Sequence, residues 1–220
     1  MPTGKGMAKS WRIWLILGLL LIAAALGLVL YNEWDSDRAG KESAEVLDTL
    51  TEAITENVNR RTAEGQGGNA STFDPKAQEQ IHEDQNEMPT VLINGYEYIG
   101  VIEIPDLKIH LPVMAESDLT RLKTAPCRYS GSYYTSDLVI GAHNYGEHFA
   151  RIKYCKLGID VYFTTVEGIV YHYTVSNRET VKPTAIEQMI KGDDWDLTLY
   201  TCNTGGQTRC AVRCILADDN

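Results

Sequence analysis

The sequence predicts a mainly β protein: a closed eight-stranded barrel with short helices, preceded by an N-terminal transmembrane helix. Three observations predict it. From about residue 89 onward the chain breaks into short runs of apolar, aromatic and β-branched residues separated by turn signals. Helical periodicity is nearly absent from that stretch, and eight or so short strands in so few residues point to a barrel. Near the start, Ile13 to Leu30 is an eighteen-residue run without a charge, about the length that crosses a bilayer. A two-sheet sandwich is the alternative that strand count leaves open.

The apolar run is preceded by Lys5, Lys9 and Arg12 and followed by Glu33, Asp35 and Asp37. That bias holds residues 1–12 in the cytoplasm, makes 13–31 a signal anchor and sends the remainder outside. Ala23 to Ala25 could serve as a processing site, but the run continues through Leu26, Leu28, Val29 and Leu30, which favours an uncleaved anchor. Residues 32–88 are expected to form an extracytoplasmic stalk, or a cover over the active site. Within them Val46, Leu47, Leu50, Ile54 and Val58 recur at helical spacing. Gly65 to Asn69 marks a flexible break, and Asp74-Pro75 a turn.

The domain proper is expected over 89–220. Tyr98 to Ile104 alternates as a strand does, and Pro105-Asp106 turns it into Leu107 to Val113. Asp137 to Gly141 is a short apolar strand. Val161 to Thr165 and Ile169 to Val175 flank a Glu167-Gly168 hairpin turn. Thr184 and Glu187 form a capping box for a short helix. Leu197 to Thr201 and Thr208 to Leu216 are the last strands, joined through Asn203 to Gly206.

A formal net charge of -10 over 220 residues excludes general nucleic-acid binding, which needs clustered cations to displace counterions. The five cysteines, at 127, 155, 202, 210 and 214, are odd in number and contain no Cys-x-x-Cys pair, so a structural zinc site is not supported. Cys210 and Cys214 lie four residues apart on one strand, about 13 Å, too far for a disulfide.

Two strand ends carry chemistry. Asp196 to Cys202 ends on a thiol and opens into a glycine-rich loop; Ile140-Gly141-Ala142-His143-Asn144 ends on an imidazole. Brought to one rim, with an arginine near, they could form and use a thiolate nucleophile. Taken alone, a cysteine at a strand end is as readily a small buried hydrophobe.

Thr198-Leu199-Tyr200-Thr201-Cys202 resembles the Thr-Leu-x-Thr-Cys signature of the sortase family, with Arg209 on the next strand where that family has its arginine. Ile99 to Pro105, the histidine after a buried strand and the anchor are similar too. The resemblance covers residues 98–216 and leaves the subclass open between A/B-like and a small unassigned class. One departure is local: the family places glycine directly before the histidine, whereas Ala142 stands there. The resemblance implies a cell-surface cysteine transpeptidase of Gram-positive-type bacteria. Cys202 would cut a C-terminal sorting signal such as Leu-Pro-x-Thr-Gly and hold the acyl group as a thioester. An amine of a cell-wall precursor or pilin would then take that group. His143 would carry the proton and Arg209 would face the oxyanion. No cofactor is implied, and calcium is not expected, because Lys123 to Ser136 holds no carboxylate. Another cell-wall cysteine acyltransferase and a non-catalytic surface binding module stay open as alternatives. An L,D-transpeptidase would need a His-Gly-Cys run, which is not found.

Arg209 can also be placed without the family. If the last two strands pair Cys202 with Gln207 and Tyr200 with Arg209, their apolar faces coincide. Cys202 and Arg209 then become diagonal neighbours about 7–8 Å apart. Arg213 shares that face but falls about 13 Å further along, a bystander to the thiol. Cys210 and Cys214 share the core face with Val212 and Leu216. His148 is read as a surface residue, and His82, His110, His172, Cys127 and Cys155 carry no functional expectation.

Overall fold

Among the described residues, nine strands follow one long helix: α1 (Met7–Ala63), β1 (Val91–Ile93), β2 (Tyr96–Ile104), β3 (Ile109–Met114), β4 (Cys127–Ser130), β5 (Leu138–Ala142), β6 (Asp160–Thr165), β7 (Val170–Val181), α2 (Ile186–Ile190), β8 (Leu197–Cys202) and β9 (Arg209–Leu216). The computed structural model describes residues 7–63, 88–190 and 194–217, with the backbone alone for 7–10. The chain divides into two units, Met1–Arg38 and Ala39–Asn220.

In the first unit the helix carries its apolar side chains outward; Trp14, Leu21 and Leu30 are all more than 60% exposed. A continuous surface of that kind is not sustained in water. The helix is long and apolar enough to cross a membrane, with a mean hydropathy of 2.9 over its best window, and is a candidate membrane anchor.

In the second unit the sheet runs β2-β3-β4-β5-β8-β9-β7-β6 and closes by pairing β6 back onto β2, an eight-stranded mixed barrel. Two pairings are parallel, β3 with β4 and β5 with β8. Closure demands a glycine: a Cβ on Gly100 would lie 2.1 Å from the Thr164 carbonyl oxygen across the β2–β6 seam. A bulge between Tyr98 and Gly100 resets the alternation of β2. Ile99, Ile102 and Ile104 therefore enter the barrel core while Tyr98 and Val101 face outward.

That outward face is covered by α1. Val46, Leu50 and Ile54, at helical spacing, are buried against Tyr98, Val101, Met114, Ala125, Cys127 and Val166. Asn57 Nδ2 donates to the Val166 carbonyl (3.0 Å). Within the span set aside as stalk, then, the helix runs to Ala63, and Ala39 onward belongs to the barrel unit. The Gly65 break and the Asp74-Pro75 turn lie outside the described residues.

Two strands were not anticipated. β1 joins β2 through Asn94-Gly95, both with positive φ (52° and 82°), the two-residue hairpin that Asn-Gly favours. β4 is four residues of mixed polarity held between β3 and β5. β7 extends six residues past Val175, because Asn177 to Val181 pair with β9 after a bulge. Helix α2 begins at Ile186, within the Thr184 to Glu187 span where a short helix was expected.

The β8–β9 register also differs from expectation. Cys202 pairs with Arg209 and Leu199 with Val212, a slide of two residues. The four-residue loop is Thr204 to Gln207: Asn203 N–H donates to the Thr208 carbonyl (2.9 Å), and Asn203 Nδ2 to the Thr208 hydroxyl (2.8 Å). The added pair extends the hairpin without changing which residues share a face.

Candidate active site

Cys202 ends β8 and His143 follows the last residue of β5, and these strands are parallel neighbours with Ala142 opposite Thr201. That register brings the end of β5, which His143 follows, to the end of β8 that carries Cys202. A buried hydrogen bond ties the two ends: the Thr201 hydroxyl donates to the Ala142 carbonyl (2.9 Å). Thr201 sits in the quoted signature, yet sequence reasoning assigned it no task.

On the other side of β8, Arg209 lies directly opposite Cys202. Its Nη1 donates to the Cys202 Sγ at 3.2 Å. The structure thus brings all three anticipated residues to one end of β5, β8 and β9, with the arginine directly across from the thiol rather than diagonal to it.

Cys202 differs from the other four thiols in exposure. All five are free; Cys202 is half-buried, while Cys127, Cys155, Cys210 and Cys214 are buried. Burial pushes the Cys127 and Cys155 thiols up to about 12 and raises Cys210 and Cys214 as well. Those four are held neutral and inert. Cys210 and Cys214 line the barrel core with Val212, as their spacing implied.

The wall beside the thiol is aromatic. Tyr200, two residues before Cys202 on the same face, packs over Gly141 and meets Tyr129 edge-on at 5.6 Å. Burial is the main cause raising the Tyr200 phenol. Gly141 is required here, since a Cβ would fall 2.3 Å from the Tyr200 ring. Met189 of α2 packs on the same outer face with Val139, Ala211 and Tyr200.

Two expectations need correction. His148 is no surface residue: it is fully buried, its Nε2 is 3.4 Å from the Ser43 hydroxyl of α1, and its pKa falls to about 4, chiefly through burial. It escaped notice because its partner lies 105 residues earlier in the chain. Arg213 is a bystander to the thiol but not to the fold. Fully buried, it bonds Glu179 (2.9 and 2.8 Å), the Thr198 hydroxyl (2.8 Å) and the carbonyls of Gln188 and Met189, and stacks over Trp195.

Among the described residues no cluster of three or more His, Cys, Asp or Glu side chains is arranged to hold a metal ion. Of the remaining histidines, His110 is exposed; His172 stacks on Tyr162 and meets Asp160 at 2.9 Å. His82 lies outside the described residues.

Comparison with known proteins bears on the fold and the family. A sortase domain model matches residues 102–217. Sortase A of Listeria monocytogenes is 28% identical over 120 residues, a match spanning 50% of this chain and about half (51%) of that relative's length. The fold matches sortase C of Streptococcus pneumoniae with a TM-score of 0.54 at 20% identity, covering 79% of this chain and 97% of that one. It matches Clostridium perfringens sortase C, solved with a C-terminal cell wall sorting motif, with a TM-score of 0.51 at 23% identity, covering 79% and 90%. With the domain model spanning more than half of its residues and the barrel closing in the same way, the chain belongs to the sortase family.

Proposed function

We propose that this protein is a membrane-anchored cysteine transpeptidase that cleaves a C-terminal sorting signal of secreted proteins and passes the acyl group to an amine. The observation that carries the reading is the end of β8. Of five thiols only Cys202 is open to solvent, and it accepts a hydrogen bond from Arg209 beside the β5 end that bears His143.

The chemistry follows from those positions. The Cys202 proton passes to His143 as sulfur attacks the scissile carbonyl carbon. The carbonyl oxygen becomes an oxyanion, and Arg209 lies where a guanidinium can donate to it. His143 returns its proton to the leaving amine, the C–N bond breaks, and the acyl group stays on sulfur as a thioester. An incoming amine gives its proton to His143, attacks the thioester and releases the Cys202 thiol. Family membership favours a Leu-Pro-x-Thr-Gly-like signal and a cell-wall precursor or pilin amine. Two relatives' names point the same way, one carrying a cell wall sorting motif and the other concerning pilin substrate specificity.

Full-length protein incubated with a panel of sorting-signal peptides should gain the mass of the acyl fragment on Cys202, and lose it when an amine such as triglycine is added. Cys202→Ala should give no adduct, and His143→Ala should keep an alkylatable thiol but turn over poorly. Peptide cleavage that survives Cys202→Ala, or a Cys202 inert to the whole panel, would overturn the proposal.

A further inference from the structure

The connection from β5 to β6 folds tightly onto its own backbone. Phe149 N–H donates to the His143 carbonyl (3.3 Å), while His148 and Ala150 both donate to the Tyr145 carbonyl (3.1 Å each). Three rings stand in series along it. Tyr145 stacks on His143 with centroids 4.8 Å apart and planes 20° apart, and its other neighbour is His148 at 5.5 Å.

The far end of this series is held by α1. Ala39 and Ser43 are buried, and a Cβ on Gly40 would meet the Glu147 side chain at 2.8 Å, so the helix backbone lies against the loop. The Ser43 hydroxyl has one proton, which goes to the Thr124 carbonyl (2.6 Å). Toward His148 the oxygen can therefore only accept, which makes Nε2 the protonated nitrogen of that ring. The Thr124 and Ala39 carbonyls also face this ring, and its Nδ1 is buried without a partner.

We propose that Ser43 and His148 are positioning residues for His143, holding the Tyr145 ring against its imidazole across the contact between α1 and the β5–β6 connection. The proposal rests on His143 as the proton carrier of the reaction above. Displacing such a group by about 1 Å can cost up to 10²-fold in rate, and neither Ser43 nor His148 belongs to the proposed chemical steps.

The test uses the full-length chain in detergent. Ser43→Ala should lower kcat roughly 10- to 100-fold, leave KM for the peptide nearly unchanged, and shift the pH limb of kcat that belongs to His143. His148→Asn should act through the same contact, so the double variant should be no worse than the poorer single one. Asn57→Ala removes a helix–barrel hydrogen bond at the other end of the interface; it should lower Tm while leaving kcat alone. A kcat loss in Asn57→Ala equal to that in Ser43→Ala would make the role merely structural and sink the proposal, as would unchanged kcat in folded Ser43→Ala. An NMR readout separates this from failure of the enzymatic reading. The His143 Cε1–H resonance, shielded by Tyr145, should move downfield in Ser43→Ala even if no peptide is turned over, and an unmoved resonance would overturn the positioning role.

Discussion

Two arginines on one face of β9 have opposite relations to solvent and to the thiol. Arg209 touches Cys202 and is half-exposed, whereas Arg213 is sealed beneath α2 and Trp195. Their replacement by alanine should therefore fail in different ways. Arg209→Ala should reduce acylation about 10²-fold, the scale of losing one oxyanion donor, with an unchanged urea midpoint. Arg213→Ala leaves the Thr198 hydroxyl and the Gln188 and Met189 carbonyls unpaired, at about 1–3 kcal/mol each when buried. It should lose roughly 3 kcal/mol or more of unfolding free energy, read from urea titration. A stable Arg213→Ala protein, or an unstable Arg209→Ala one, would reverse these assignments. Sequence located Cys202, His143 and Arg209 because each ends or begins a strand within a recognisable string of residues. The same reading gave Arg213 no structural task and placed His148 at the surface, because their partners are a helix carbonyl 24 residues away and a serine 105 away. Long-range burial leaves no local signature.

At the scale of elements, legibility followed local chemistry. The β6–β7 hairpin was plain from Glu167-Gly168, and Gly168 does adopt a φ of 81°. The Asn94-Gly95 signal was equally present but bracketed only three-residue pairing. β4 and the second half of β7 have no apolar alternation to read, since one is four residues of mixed polarity and the other is drawn into the sheet by β9. The helix–barrel contact carries a testable electrostatic consequence. Above pH 6.5 the His148 ring is neutral whether the chain is folded or not. Between 6.5 and about 4 the unfolded chain takes a proton that the folded chain refuses. Stability should therefore fall on acidification through that window, by roughly 1.4 kcal/mol per pH unit for one such group, and level off below it. Urea midpoints of wild type and His148→Gln, compared from pH 7 to 4.5, measure the difference. Parallel slopes in the two proteins would refute it.

For the whole molecule, closure of the barrel and a long apolar helix were both visible in pattern, because period-two strands and an uncharged run of bilayer length are global signals. The flanking charges, Lys5, Lys9 and Arg12 before the run and Glu33, Asp35 and Asp37 after it, are the ground on which we propose an outward-facing barrel. Protease applied to intact cells should remove residues beyond 35 and spare the first twelve; protection of Ala39–Asn220 would contradict an outward-facing barrel.

The sheet order holds one more consequence. Of the barrel's strands, β8 and β9 come latest in chain order, yet they fill the middle of the wall between β5 and β7. A chain emerging from its N-terminus must hold β5 and β7 apart, each with an unpaired edge, until β8 and β9 arrive. Open edges of that kind recruit other chains, and a partly completed molecule is exposed to that hazard for the whole interval. The same order brings Cys202 to the end of β5, next to which His143 stands, only when the β8–β9 hairpin is inserted. Until then His143 stands without the Cys202 thiol, and the proposed chemistry arrives in the same event that removes the sticky edges.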